Sequence, residues 1–161
     1  MGVLAVGALG VAGVFTTGMQ KASSSPGDLV ATQKAAEAVE SVFAARDSHK
    51  LTWSQISNVY GAGPGCGGGV FEDDEQQLRD PGLDGLVNTV DDGEIEELRY
   101  PGPDRIMRTG DDTFQELGTF WREVAITCVN AGLRIITVTV RYQAGPQSRS
   151  YTLATYISNH S

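Results

Sequence analysis

The chain has little cysteine, little histidine and few basic residues, and each shortage excludes a class of protein. Its 161 residues include two Cys and two His. These are too few for a miniprotein held by several disulfides, a four-cysteine zinc site or a His-based metal centre. Twelve Lys and Arg stand against 20 Asp and Glu, a formal net charge of -8. Because a nucleic-acid-binding protein needs a basic face to meet phosphates, we expect no nucleic-acid partner.

The charges that are present are unevenly distributed. Between Glu72 and Glu116 there are 15 acidic and four basic residues, a net charge of -11. By contrast, the stretch from Gly2 to Gln20 contains no charged residue. Hydrophobic residues make up 40% of the chain, which is long enough for one domain with a core.

The beginning of the chain is dominated by an apolar run. Val3 to Phe15 contains no polar side chain. A helix of about 19 residues would span roughly 28 Å, close to the hydrocarbon thickness of a bilayer. No basic residue precedes the run, as a secretory signal peptide would require. Three glycines, at positions 7, 10 and 13, disfavour a helix in water but allow close packing of helices in a membrane. We therefore predict a membrane or filament-core helix over 1–24, with a buried core helix as the alternative.

An amphipathic helix is predicted over 25–50. Ser25-Pro26-Gly27-Asp28 has the pattern of a capping box with Pro at the first helical position. Helical spacing then relates five residues that we expect to face the core: Ala36, Val39, Val42, Phe43 and Arg46. Pro26-Gly27 either separates this helix from the apolar run or only kinks one long helix.

From residue 120 onward the apolar residues alternate with polar ones. Three such runs, 122–129, 136–142 and 151–157, are separated by the turn signals Asn130-Ala131-Gly132 and Gly145-Pro146-Gln147. Alternation with short turns predicts an antiparallel meander over 120–161. The whole pattern predicts an α+β fold. A long N-terminal helix, apolar and then amphipathic, packs on a C-terminal antiparallel β-meander of three to four strands. The Gly-rich and acidic region 51–119 is inserted between them as a loop region.

This order of segments resembles that of type IV pilin-like proteins, closest to minor pilins of the pilus modification kind and minor pseudopilins of type II secretion. Residues 3–13 resemble the second part of a pilin membrane helix, and 31–46 the half that packs under the head. Residues 137–142 and 151–158 resemble the last strands of such heads. The family's basic leader, cleavage-site Gly and Phe-(Ser/Thr)-Leu-Ile-Glu stretch do not precede the apolar run. We interpret the start as internal to a longer reading frame, and assign cleavage and methylation to no residue.

The resemblance implies a non-enzymatic subunit that assembles with other pilins or pseudopilins through its N-terminal helix. It implies a single-pass protein of the inner membrane, with a head in the periplasm or on an extracellular filament. The pattern does not distinguish a pilus from a type II secretion system. The alternative, from a different class, is a membrane-anchored or secreted calcium-binding interaction module. We assign no catalytic or cofactor-binding residue, since His49 at a helix end is typical of a partner for the helix dipole.

The acidic middle contains a repeat with a period of 20 residues. The segment from Asp80 to Gly93 aligns with that from Tyr100 to Thr113, with Pro, Gly, Asp, Thr, Asp and Asp matching. Aspartate and asparagine oxygens are ligands that Ca²⁺ prefers, and the candidates are Asp80, Asp84, Asn88, Asp91, Asp92, Asp104, Asp111 and Asp112. The alternative is that these aspartates only cap turns. In the second copy, Arg105 or Arg108 could pair with the last two aspartates and replace a cation.

The two cysteines, Cys66 and Cys128, form an even pair in a chain that we interpret as exported. A disulfide would join the Gly-rich loop to the first strand and close a loop of about 60 residues, stabilising the fold by about 4 kcal/mol. The alternative is two unrelated thiols, with Cys128 buried in the sheet.

Overall fold

The structure is a computed structural model that describes residues 26–61 and 66–159. One α-helix, α1, spans Pro26–Asp47, and a short 3₁₀ helix spans Trp53–Gln55. Six strands follow in chain order: β1 Gln76–Gln77, β2 Glu97–Tyr100, β3 Thr113–Glu116, β4 Phe120–Asn130, β5 Leu133–Ala144 and β6 Gln147–Ser158.

The main sheet contains four antiparallel strands in the order β1-β4-β5-β6. The long strands β4, β5 and β6 coincide with the three alternating runs of the sequence, and the two turn signals connect them. Their register places Val124 opposite Val138, which in turn lies opposite Leu153. Because successive side chains of a strand point to opposite faces, this register gathers the apolar residues of β4 and β5 on one buried face.

Helix α1 packs on this sheet, mainly against β5 and β6, through a stripe of small residues. The buried residues are Ala31, Ala35, Ala38, Val42 and Ala45. The predicted face was therefore wrong except for Val42, because Val39 and Phe43 are only partly buried at its margin. Small side chains allow a close approach of helix backbone to sheet, which the larger residues would prevent.

Both ends of α1 are held to the sheet by polar contacts. Near the N-terminus, Asp28 accepts hydrogen bonds from the hydroxyl of Tyr142 and from Arg149, the latter at 3.4 Å. Near the C-terminus, Nη1 of Arg46 donates to the carbonyl of Ser158 at 3.1 Å. The two contacts fix the direction of the helix across the strands.

The middle of the chain supplies part of the core. Phe71, Leu78, Leu86 and Leu117 are buried in the same cluster as the sheet and helix residues. Strands β2 and β3 pair with each other as a separate two-stranded sheet. The region 51–119 is therefore more than the loop insertion that we expected from its composition.

The predicted fold class is wrong. Within the described residues, the structure has one α-helix, of 22 residues, and is mainly antiparallel sheet, with 38% strand and 19% helix. A long N-terminal helix packed on a β-meander is not seen in this part of the chain. The predicted apolar helix over 1–24 lies outside the described residues. Within the described part, no helix has both the length and the apolar character needed to cross a bilayer.

Candidate functional site

The two copies of the acidic repeat fold into loops of the same shape. We call them loop 1, residues 80–93, and loop 2, residues 100–113. The fifth residue of each loop is an aspartate that closes a turn. Asp84 Oδ1 accepts from the N–H of Leu86, and Asp104 Oδ1 accepts from the N–H of Ile106, both at 2.8 Å. An aspartate that binds the backbone two residues ahead is a common turn former, so this geometry is local in origin.

The last aspartate of each loop binds the backbone at the far side of the same loop. In loop 1, the carboxylate of Asp92 accepts from the N–H of Asn88 at 2.8 Å and from that of Thr89 at 3.3 Å. In loop 2, Asp112 accepts from the N–H of Arg108 at 2.6 Å. The equivalent residues therefore make equivalent bonds.

A threonine hydroxyl and a glycine complete the shared geometry. Thr89 donates to Asp91 at 2.9 Å, and Thr109 donates to Asp111 at 2.6 Å. A Cβ atom at Gly82 would lie 2.3 Å from atoms of Asp91, and a Cβ atom at Gly102 would lie 2.3 Å from atoms of the equivalent Asp111. Because real Cβ contacts are never so short, both positions require glycine, and this explains why the Pro-Gly pair occurs in both copies.

The backbone of each loop passes twice through the left-handed region. The first position is Gly85 in loop 1, with φ of 73°, and Arg105 in loop 2, with φ of 59°. The second is Asn88, with φ of 62°, and Arg108, with φ of 68°. A side chain larger than Gly or Asn is disfavoured there by about 1 kcal/mol. Loop 2 therefore keeps the shared shape although its two arginines disfavour it.

The two loops differ in burial. In loop 1, Leu86 and Val87 belong to the core, and Asn88 and Thr89 are buried with them. In loop 2, Ile106 and Met107 at the equivalent positions are exposed. Loop 1 also lies against the last turns of α1, where Ala45 and Leu86 line a cavity of about 100 Å³. Loop 1 is part of the packed domain, whereas loop 2 projects from it at the end of the β2–β3 hairpin.

The equivalent carboxyl groups of the two loops also differ in acidity. Partial burial raises the pKa of Asp92, and its hydrogen bonds only partly offset that effect. Desolvation also acts to raise the pKa of Asp112. The hydrogen bond from the N–H of Arg108 and the charge of Arg99 outweigh this effect, so the pKa of Asp112 is lowered. The Arg99 guanidinium lies 2.5 Å from Asp112. Within the described residues neither Arg105 nor Arg108 forms an ion pair with an aspartate, so the partner proposed from the sequence was wrong.

The candidate calcium ligands are only partly brought together. In loop 1, Asp84 and Asp91 meet, since the N–H of Asp84 lies 3.4 Å from Asp91 Oδ2. Asp104 and Asp111 are related in the same way in loop 2. Asp80 instead lies at the base of loop 1, where its backbone pairs with Gly93 and Glu94. Across the described ranges, no three or more His, Cys, Asp or Glu side chains form a group that could hold a metal ion. Calcium binding stays a prediction.

A buried ionic cluster holds the start of the β2–β3 hairpin to the rest of the domain. Glu96, which is 4% exposed, forms ion pairs with Lys34 of α1 at 2.5 Å and with Arg122 of β4 at 3.4 Å. Burial acts to lower the pKa of Lys34, but hydrogen bonds to Glu37 and Glu96 outweigh it and raise the pKa. The Glu96 carboxylate thus links cations from two different elements, and Lys34 also pairs with Glu37 at 2.7 Å.

A disulfide joins Cys66 to Cys128. It connects the Gly-rich stretch 61–69 to the end of β4, and the Cα atoms of the two cysteines are 5.7 Å apart. Because it closes a loop of 62 residues, it limits the unfolded chain and stabilises the fold by about 4 kcal/mol.

Sequence reasoning missed two buried arginines and one buried glutamate. Arg122 and Arg134 lie on the apolar faces of β4 and β5, in phase with Val124 and Ile136. Their place in the alternation of apolar and polar residues could have revealed these arginines in the sequence, since a charged residue at an apolar position of a strand needs a partner or a function. No comparable signal distinguished Glu96 from the other acids of its segment.

Comparisons of the chain with models of protein families, with curated proteins and with solved structures find no match. The resemblance to type IV pilin-like proteins therefore depends on the sequence patterns alone.

Proposed function

We propose that the chain is a non-enzymatic pilin-like subunit that takes part in the assembly of a type IV pilus or a related secretion pseudopilus. The apolar residues 3–15 insert in the inner membrane and then pack among other subunits. The folded part, from residue 26 onward, is the head outside the membrane. The disulfide supports this location, because such bonds persist in oxidising compartments.

The attachment of α1 carries the proposal. The contacts of Asp28 with Tyr142 and Arg149 hold the helix to the sheet within three residues of the point where the described head begins. A Cβ atom at Gly27 would lie 2.5 Å from the Tyr142 ring, so the backbone itself packs closely there. A head held so near the apolar segment would follow the position of that segment in a filament. A flexible tether would not transmit position in this way.

A charge in the apolar segment tests membrane insertion. Leu9→Arg is the test variant, and Leu83→Arg is its matched control, since Leu83 is fully exposed at 102%. An arginine at the centre of a membrane segment costs about 3 kcal/mol, so we expect roughly a hundredfold lower partition of Leu9→Arg into bacterial membranes. Carbonate-washed membranes are assayed by immunoblot. Equal recovery of both variants would contradict membrane insertion.

Cross-linking tests subunit assembly separately. With a photo-cross-linker attached to the thiol of Gly10→Cys, the apolar segments of neighbouring subunits can be joined by light in intact membranes. Filament subunits should give adducts with a second pilin, identified by mass spectrometry, whereas Leu83→Cys gives few. A chain that stays in the membrane but forms no adduct is an anchored module, and the assembly function is then wrong.

A calcium-binding interaction module is the second candidate, and one feature of loop 1 favours it. Asn88 is fully buried, and its Oδ1 has no hydrogen-bond donor among the described residues. An amide oxygen of this kind is a ligand that Ca²⁺ accepts. Loop 2 has an arginine at the equivalent position and therefore offers no such oxygen. This candidate places the cation in loop 1 alone.

Thermal unfolding with and without calcium tests this second candidate. Millimolar Ca²⁺ should raise the melting temperature of the full-length chain and of Asp112→Asn, whereas Asp92→Asn should show no rise. Magnesium at the same concentration serves as the ionic control. A melting temperature that does not respond to calcium would leave the aspartates with turn capping only.

A further inference from the structure

An open groove lies at the end of the sheet where β4 turns into β5. It has a volume of about 640 Å³, and its walls include Trp53, Ser54, Val129, Asn130 and Arg134. Val129 is half-exposed, so the groove combines an aromatic and an aliphatic wall with polar groups. Nothing in the proposed assembly function uses this groove.

Arg134 is a buried cation in the wall of this groove. It is 4% exposed, and its guanidinium lies over the Trp53 ring with 4.4 Å between the guanidinium carbon and the ring centroid. Nη1 donates to the carbonyl of Ile56, while Nε is buried with no hydrogen-bond acceptor in the described structure. The indole N–H of Trp53 is held by the carbonyl of Ala131 at 2.8 Å, so the aromatic wall is fixed in place.

No Asp or Glu side chain pairs with Arg134. All 20 Asp and Glu residues of the chain lie between Asp28 and Glu123 and within the described residues, and none of them forms an ion pair with it. Arg122 is equally buried but is paired with Glu96. Burial of a charge without its partner is strongly unfavourable, and burial accordingly lowers the pKa of Arg134. A buried guanidinium with no Asp or Glu partner, in the wall of an open groove, is suited to pair with the carboxylate of a ligand.

We propose that this groove binds a carboxylate carried on an apolar body. The Arg134 guanidinium pairs with the carboxylate, and Trp53 and Val129 contact the apolar part of the ligand. Ser54 and Asn130 add hydrogen bonds at the rim. Since Arg134 is the one cation among the described residues of the lining, a singly charged carboxylate matches the site better than a doubly charged phosphate. The carboxylate comes from a small organic acid or from the end of a peptide.

Tryptophan fluorescence gives a direct test with the full-length chain. The chain has two tryptophans, so Trp121→Phe leaves Trp53 as the single reporter. In this background, 3-phenylpropionate represents a small acid and N-acetyl-leucyl-phenylalanine represents a peptide carboxylate. We expect at least one of them to change Trp53 emission saturably, with a Kd of about 1 mM or tighter. The corresponding amides, which lack the charge, should bind at least tenfold more weakly. The acid that binds more tightly shows whether the carboxylate comes from a small organic acid or from the end of a peptide.

Two substitutions separate a ligand site from a structural role. Arg134→Lys keeps the charge but loses the planar fork, and should weaken binding at least fivefold while circular dichroism shows the same fold. Arg141→Lys in the same Trp121→Phe background is the matched control, because Arg141 is a β5 arginine outside the groove lining, 5.6 Å from the ring of residue 121 in the parent chain. This substitution should leave binding unchanged. Equal binding of acids and amides, no saturable binding of either acid, or equal affinity of the Arg134→Lys variant would each overturn the proposal.

Discussion

Loop 1 and loop 2 have the same hydrogen bonds but different surroundings. In both, an aspartate closes the first turn and a Thr-x-Asp-Asp sequence closes the second. Loop 1 is packed into the core through Leu86, which is 1% exposed, whereas Ile106 in loop 2 is 60% exposed. The loop geometry therefore does not depend on burial. It follows from side-chain to backbone hydrogen bonds that the sequence carries within 14 residues.

The surroundings decide what the shared geometry does. In loop 1, burial raises the pKa of Asp92. The residues after this loop include Glu96, which forms ion pairs with Lys34 and Arg122. In loop 2, the equivalent Asp112 pairs with Arg99, and the chain continues into the exposed strand β3. The position equivalent to Glu96 is Glu116, which is exposed. The same local motif thus serves as part of the core in one copy and as a surface projection in the other.

The largest expected difference between the copies is at the glutamates that follow them. Glu96→Gln leaves Arg122 without its ion-pair partner and leaves Lys34 paired only with Glu37, so we expect a loss of about 4 kcal/mol in the free energy of unfolding. Glu116→Gln should change it by less than about 0.5 kcal/mol. Urea denaturation with the disulfide intact measures both. Similar losses in the two variants would mean that the buried cluster contributes little.

Substitutions of the apolar residues in the two loops should differ almost as much in their effect on the free energy of unfolding. Leu86→Ala creates a cavity in the core and should cost about 3 kcal/mol of unfolding free energy. Ile106→Ala removes an exposed side chain and should cost less than about 0.5 kcal/mol. The same urea titrations compare the pair. A large effect at Ile106 would show that loop 2 is covered in solution, for example by another subunit.

Exchanging the residues at the first left-handed position should change the stability of the two loops in opposite directions. Gly85→Arg should destabilise loop 1 by about 1 kcal/mol, because the cost is conformational and a Cβ atom at Gly85 meets nothing within 4 Å. Arg105→Gly should stabilise loop 2 by a similar amount. Hydrogen exchange of the amides of Gly85 or Arg105, which each close a turn, reports the change. Shifts of the same sign would show that the two loops are not equivalent.

The smallest expected difference is in the titration of the final aspartates. The raised pKa of Asp92 means that its ionisation opposes folding, so its contribution to stability decreases as pH rises from 3.8 through the folded pKa. The lowered pKa of Asp112 stabilises the fold above pH 3.8, and this contribution is lost as pH falls through the folded pKa. Carboxyl NMR titration should find Asp92 titrating above 3.8 and Asp112 below it. The reverse order would contradict the difference in burial.

Parts of this structure were predictable because they depend on short stretches of chain. Period-two alternation located β4, β5 and β6, and the 20-residue repeat indicated a pair of similar turns. The helix face was predicted wrongly, because large apolar residues such as Phe43 were given more weight than Ala31 or Ala38. Which face packs depends on how closely the sheet approaches, and spacing alone carries no information about that distance.

The roles of single charged residues were not predictable. Among 15 acids in one segment, Glu96 is buried because Lys34 and Arg122 reach it from two other elements. Arg134 was passed over because its partner groups, Trp53 and Ile56, lie 78 or more residues away in sequence. Contacts of this kind form only when the chain has folded.

The sequence by itself determined strands β4, β5 and β6, the turns between them and the common shape of the two loops, since these follow from hydrogen bonds and side-chain alternation between near neighbours. The tertiary structure alone decided that helix and sheet meet through alanines, that one loop is buried and the other exposed, and that Arg134 lies beside an open groove with no Asp or Glu partner. Burial and long-range pairing depend on which distant segments come together, because the desolvation of a charge is set by everything packed around it.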